Sequence, residues 1–197
     1  MIAAAFDSSW KSTGFALCDR TGPLLCRHLH LDSSWRWATL APRLRALDLE
    51  ILPVLLEVDD EPRVVIERAP SIYSGRGNQA DTGWGMGALV GPIAVHFARE
   101  GWGYPWMIPP SDKARKSKKT GATTIIAVGW RGWWGITGSR AKAKAHALAL
   151  VRHHWRHVLR PEWGTDPEGP CGDVAEAILM GVGACRHPQF APVGPRA

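Results

Sequence analysis

Four acids in this chain sit at the edges of apolar runs. Asp7 closes Ile2–Phe6, Glu67 closes Val64–Ile66, and Asp173 and Glu176 open the stretch running to Met180. Such runs read as core strands or core helices, and an acid at their tip is costly to bury unless positive charge stands beside it. Hard carboxylate oxygens suit magnesium, with manganese as a substitute. Two such ions about 3.5–4 Å apart can activate a water and stabilise the leaving oxygen of a phosphodiester. Each acid alone also has a simpler reading. Asp7 before Ser8-Ser9 fits a turn or cap. Glu67 before Arg68 fits a strand-end ion pair, and Asp173 fits the acid-favouring start of a helix. Their joint placement carries the metal reading.

The charge map supplies what faces those acids. The chain of 197 residues has a formal net charge of +6. Between Ser111 and Arg160 stand twelve Lys and Arg against Asp112 alone, so this block carries +11 and the rest of the chain −5. Asymmetry of this kind points to a polyanionic partner; a solvated basic face is the simpler alternative. Lys113, Arg115, Lys116, Lys118 and Lys119 fall in an expected loop that could follow a phosphate backbone. Arg140, Lys142 and Lys144 begin an expected helix, where added cations strengthen phosphate attraction. One of Lys142 and Lys144 is expected near the phosphate to be cut, with a solvated helix surface as the alternative.

The elements that must hold these groups follow from apolar pattern and turn residues. Ile2–Asp7, Thr13–Cys18 and Leu24–Leu31 read as three strands in an antiparallel meander. Ala38–Val58 has apolar residues near helical spacing, with Pro53 expected to kink or interrupt it. Arg63–Glu67 reads as a strand buried on both faces. Ala80–Glu100 reads as a Gly-rich helix, Gly101–Pro110 as a short strand, Ser139–Leu159 and Gly172–Cys185 as helices. Strands first, then alternation, give an α/β fold with a mixed sheet. If the strands ending in Asp7 and Glu67 are adjacent and parallel, their carboxylates are neighbours in the crevice at the strand C-termini. Asp173 and Glu176, three apart, share one helix face.

Other features bound the function. Hydrophobic content of 45% suffices for a core in one domain. No run of 18 apolar residues indicates a membrane span, and the N-terminus lacks the basic region of a secretory signal. The expectation is no membrane association and a cytoplasmic location. Cys18, Cys26, Cys171 and Cys185 show no CxxC spacing, so reduced thiols are expected rather than a zinc site or a disulfide framework.

At the level of motifs, Ala5-Phe-Asp-Ser-Ser-Trp-Lys-Ser-Thr-Gly-Phe-Ala16, Val65-Ile-Glu67 and Gly172-Asp-Val-Ala-Glu-Ala-Ile-Leu179 resemble the three acidic motifs of RuvC-type Holliday junction resolvases. Gly85-Met-Gly-Ala-Leu-Val-Gly91 is similar to the helix after their second acid. The resemblance runs through most of the chain in the same order. It implies a ribonuclease H-like fold, α/β, with a mixed five-stranded sheet flanked by helices. Residues 1–187 would form one nuclease domain and residues 188–197 a tail. It further implies a homodimer whose two sites, each with two Mg²⁺ ions, nick a four-way DNA junction symmetrically. The setting would be a bacterial or phage-infected host cell. Asp7, Glu67, Asp173 and Glu176 match the catalytic and metal-binding acids; Glu176 stands where Asp is usual. Tyr73, in the loop after the second acid, matches an aromatic that wedges bases at the crossover. A stacked base is worth about 1–3 kcal/mol there, and packing is the alternative. The helix Trp84–Phe97, with its small residues, is the expected dimer element. Val128–Ile136 matches none of these motifs, which leaves its role open; its tryptophans could stack on bases, and packing is the expectation.

Three other readings remain. A related nuclease could cut flap DNA or RNA/DNA hybrids. A junction-binding protein without catalysis is disfavoured, since four acids would repel phosphate. An actin-like or sugar-kinase-like ATP-binding fold needs two lobes, more than 197 residues allow.

Overall fold

A computed structural model describes residues 1–8, 12–30, 45–58, 61–67, 91, 93, 97–98, 101–102, 105–110, 113–116, 123–127 and 129–187. The strands form where short apolar runs fill a pleated surface on both faces, with Phe6, Phe15, Val64, Val65 and Ile66 as the strand-favouring residues. They are β1 (Ala3–Ser8), β2 (Ser12–Cys18), β3 (Pro23–His30), β4 (Arg63–Glu67) and β5 (Trp106–Ile108). Their order across the sheet is β3-β2-β1-β4-β5. The meander β1-β2-β3 is antiparallel, whereas β4 lies parallel to β1 and β5 parallel to β4. This is the mixed five-stranded α/β sheet expected from the sequence.

Side chains alternate between two layers, as strand period 2 requires. Ala4, Phe6, Phe15, Leu17, Val64 and Ile66 face one core with Leu47, Ile51, Leu55, Ile93 and Phe97. On that side a π-helical turn, Leu47–Ile51, runs into helix α1 (Leu52–Leu56). Pro53 sits in the first turn of α1 and lacks an N–H, so the interruption expected at Pro53 falls at this junction. Ala3, Ala5, Ala16, Cys18 and Val65 face the other core, covered by two long helices. These are α3 (Arg140–Trp155) and α4 (Pro170–Arg186). Between β5 and α3 lies the one-turn helix α2 (Trp130–Trp133).

Helix α4 is buried from Cys171 to Cys185 and lies directly on β1 and β2. Small residues permit this approach. A Cβ at Gly181 would come within 2.8 Å of the Cys18 sulfur. All four cysteines are free and buried, and burial pushes the Cys26 thiol up to about 12 and Cys185 to about 11. They are inert core residues. Among the described residues no helix is long and apolar enough to cross a membrane.

One expectation needs correction. Lys113, Arg115 and Lys116 are not in a loop: Lys113–Lys116 is strand β6, paired antiparallel with β7 (Thr123–Ala127) in a separate two-stranded ribbon. The β-branched run Thr123-Thr124-Ile125-Ile126 favours extended backbone and supplies the pairing partner. Tyr73, Lys118, Lys119 and most of Trp84–Phe97 lie outside the described residues; within that last segment Gly91, Ile93 and Phe97 are helical.

Candidate active site

The register of the sheet builds the site. Phe6 pairs with Ile66, so Asp7 and Glu67 are the next residues along two parallel strands and project to the same face as Ala5 and Val65. Asp7 is paired on its other side with Gly14, and Gly14 with His28. His28, Gly14, Asp7 and Glu67 therefore form one row across the C-terminal edge of β1 and β4. The missing side chain at Gly14 makes a gap in that row, and the first turn of α4 fills it. A Cβ on Gly14 would collide with the main-chain carbonyl of Asp173. Glycine here fixes how closely the third acid approaches the first two.

Asp173 and Glu176 face the row from α4, as their spacing predicts. Asp173 accepts a 2.6 Å hydrogen bond from the Ser12 hydroxyl and a 3.1 Å bond from Lys144 Nζ. His28 Nε2 stands 3.6 Å from the same carboxylate, beyond hydrogen-bond length, and has no hydrogen-bond partner among the described residues. Burial works to raise the Asp173 pKa, but the nearby His28, the Ser12 hydroxyl and Lys144 outweigh it and hold the group below its ordinary value. Glu176 is 2% exposed. One of its oxygens takes a 2.6 Å bond from Arg131 Nη2, and the other lies 3.4 Å from Lys144 Nζ.

The strand acids have far less support. Burial first, then repulsion from Glu67, Glu176 and Asp173, pushes Asp7 well above the usual carboxylate range. Glu67 is also raised, chiefly by burial and by Glu176, although it accepts a 2.9 Å hydrogen bond from the Trp130 indole N–H. Among the described residues the cluster thus holds four carboxylates against two cationic side chains, buried Lys144 and partly exposed Arg131. That shortfall, with an all-oxygen donor set, fits one or more divalent cations beside Asp7 and Glu67. Among the described residues the acids are not already drawn together as a group of three that could hold a metal.

Lys144 was one of two lysines expected near the phosphate to be cut, with a solvated helix surface as the alternative. It is 5% exposed, on the stripe Ala143, Lys144, Ala147, Leu148, Val151 that α3 buries against α4. Burial works to lower its pKa, but Glu176, Asp173 and Asp7 raise it further, so it stays charged. Arg140 and Lys142 are exposed on the same helix. The Trp-rich segment packs, as expected: Trp130 is fully buried, and Trp134 donates to the Leu179 carbonyl at 2.9 Å.

Sequence reasoning missed Ser12, His28, Trp130 and Arg131 as site residues. The signal available for Trp130 and Arg131 was the Trp-rich composition of their segment. For His28 it was a histidine at an alternating strand position opposite a glycine.

No family model matches the chain, and no characterised relative matches it by sequence. Its fold is that of RuvC. It matches Thermus thermophilus RuvC in complex with a Holliday junction substrate over 98% of this chain and 99% of that one, with a TM-score of 0.57 and 13% identity. The structure of Thermus thermophilus RuvC matches over 97% and 98%, with a TM-score of 0.51 and 13% identity.

Proposed function

We propose that this protein is a metal-dependent endonuclease that resolves four-way DNA junctions by paired, symmetric nicks. The observation that carries the reading is the convergence of Asp7, Glu67, Asp173 and Glu176 at one sheet edge, with buried Lys144 among them, on a RuvC fold. The fold neighbour bound to a Holliday junction substrate supports branched DNA as the partner. The +11 block supports a polyanionic substrate, with Lys113, Arg115, Lys116, Lys118, Lys119, Arg140 and Lys142 as phosphate contacts. Tyr73 is the proposed wedge at the crossover.

Asp7 and Glu67, with Asp173 and Glu176 across from them, would hold two Mg²⁺ ions, with Mn²⁺ as a substitute. When bound, such ions polarise the phosphate and lower the pKa of attacking water. The chain's own residues do the rest. Gly14 lets α4 bring Asp173 against the strand acids. Ser12 and Lys144 fix the orientation of Asp173. Lys144, held charged by the acids, presents positive potential where the phosphate must enter. In the reaction a water oxygen bonds to phosphorus as one ester P–O bond breaks, leaving a phosphomonoester and a hydroxyl end. A homodimer would carry two such sites, one for each nick, and would act on DNA in the cytoplasm of a bacterium or a phage-infected host.

The test is cleavage of a synthetic four-way junction, an RNA/DNA hybrid and a linear duplex, each with Mg²⁺ or EDTA. Symmetric nicks in the junction alone, lost in EDTA, are expected. Equal cutting of all three substrates, or cutting in EDTA, would sink the reading.

A further inference from the structure

Arg131 belongs to the Trp-rich segment, whose role the motifs leave open, yet its guanidinium reaches into the acid cluster at Glu176. Its placement is set by the backbone. The N–H of Trp130 donates to the Pro109 carbonyl at 3.0 Å and that of Arg131 to the Pro110 carbonyl at 3.2 Å. The N–H of Ile136 closes the turn onto the Arg131 carbonyl at 2.9 Å. These bonds tie α2 to the end of β5, beside β4 and Glu67.

The guanidinium is used in an incomplete way. Arginine and carboxylate commonly meet through two parallel N–H bonds, which satisfies both groups at once. Here Nη2 alone reaches Glu176, at 2.6 Å. The other Glu176 oxygen is turned toward Lys144 at 3.4 Å. Arg131 Nε is buried and has no hydrogen-bond partner among the described residues. A buried, unpaired donor on a charged group is expensive, and native proteins rarely leave one without a use. The side chain as a whole is 14% exposed, while Nε itself is shielded.

We propose that Arg131 is a catalytic residue that donates its Nε–H to a non-bridging oxygen of the scissile phosphate. Glu176 is then the arm that positions two cations, Arg131 and Lys144, on the two sides of that phosphate. This also explains the longer acid at position 176: its carboxylate reaches both cations at once. The inference rests on the nuclease reading of the same site and names the residue that grips its substrate there.

Two measurements test it. The first follows the Arg131 Nε–H resonance in the ¹H–¹⁵N spectrum of the full chain, assigned by its loss in Arg131→Lys, as four-way junction is added in EDTA. A downfield shift on binding is expected. The second is Mg²⁺-dependent cleavage by Arg131→Ala and Arg131→Lys. Arg131→Ala is expected to lose about 10²–10³-fold in turnover with junction affinity changed only a few-fold, and to recover part of it with added guanidinium ion. Arg131→Lys is expected to stay well below the parent, because an ammonium cannot hold Glu176 and reach outward at once. A protein that cuts junctions while the Nε–H resonance stays still overturns the role of Arg131 and leaves the nuclease reading standing. A resonance that shifts in a protein that cuts nothing supports the phosphate contact and sinks the nuclease reading.

Discussion

The two acids on the strands and the two on the helix sit within one cluster but in opposite electrostatic conditions. Asp173 and Glu176 are wrapped in donors: Ser12 and Lys144 on the first, Arg131 and Lys144 on the second. Asp173 is held below its usual pKa. Asp7 and Glu67 are pressed together by strand register and raised above theirs, with one indole N–H between them as neutral support. The helix acids are already balanced by the protein. The strand acids are not, and they are where an external cation lowers the free energy most. A site built this way keeps its protein cations on one wall and leaves the other uncompensated.

The largest effect that can break this contrast is chemical. Asp7→Asn keeps the shape but removes the charge that would draw a metal. Junction cleavage is expected to fall about 10³-fold while junction binding is retained or improved. A variant that cuts like the parent would end the argument for the strand wall. Next comes the gap between the walls. Gly14→Val forces its side chain into the Asp173 main chain, so α4 must shift. A displacement near 1 Å at a reacting centre costs about 10²-fold in rate, and overpacking costs about 1–3 kcal/mol of stability. Cleavage and thermal melting should fall together; a variant with parental activity would mean that the close approach of α4 is dispensable.

Lys144→Met probes the helix wall itself. It is close in size to lysine but leaves Asp173 and Glu176 facing each other with one cation fewer. Breaking a buried charge pair on one side costs about 3–5 kcal/mol, which chemical denaturation would measure. Near-parental stability would mean that Lys144 is no keystone of that wall.

How much of this contrast could be read from the sequence depends on distance along the chain. The strand acids were legible because each ends a short apolar run, and because Val64–Ile66 is too continuously apolar for anything but a doubly covered strand. The helix acids were legible from their spacing of three. The partners were not. Ser12 lies 161 residues from Asp173, Trp130 63 from Glu67 and Arg131 45 from Glu176, and no local pattern encodes such contacts. Lys144 was legible as a cation on the helix that precedes the helix acids. Its burial was hidden because a lysine inside the sequence Ala-Lys-Ala-Lys-Ala reads as surface. The alternative signal was its place on the stripe with Ala147, Leu148 and Val151, which only packing against α4 makes visible. The ribbon was misread because its first strand is basic and polar, and the β-branched run that pairs with it comes several residues later.

The smallest effect is the most direct comparison of the two walls, since it reads both with one observable and opposite signs. In metal-free protein, a carboxylate whose folded pKa is raised favours folding only while protonated. Its contribution is complete below the unfolded value, near 3.9, and is lost as pH climbs through the raised value. Asp7 is of this kind. Asp7→Asn should therefore match the parent in melting temperature near pH 4 and exceed it increasingly toward pH 8. A carboxylate whose folded pKa is lowered behaves in reverse: its contribution is present above about 3.9 and lost as pH falls through the lowered value. Asp173 is of that kind. Asp173→Asn should melt below the parent at pH 7 and approach it as the medium is acidified. With about 2–4 °C for each kcal/mol in a chain of this size, the two variants should fan apart by several degrees between pH 4 and 8 in EDTA. Parallel curves would mean that both walls carry the same charge state. Adding Mg²⁺ should then close the gap between Asp7→Asn and the parent, because the metal stabilises the wall that the protein leaves uncompensated.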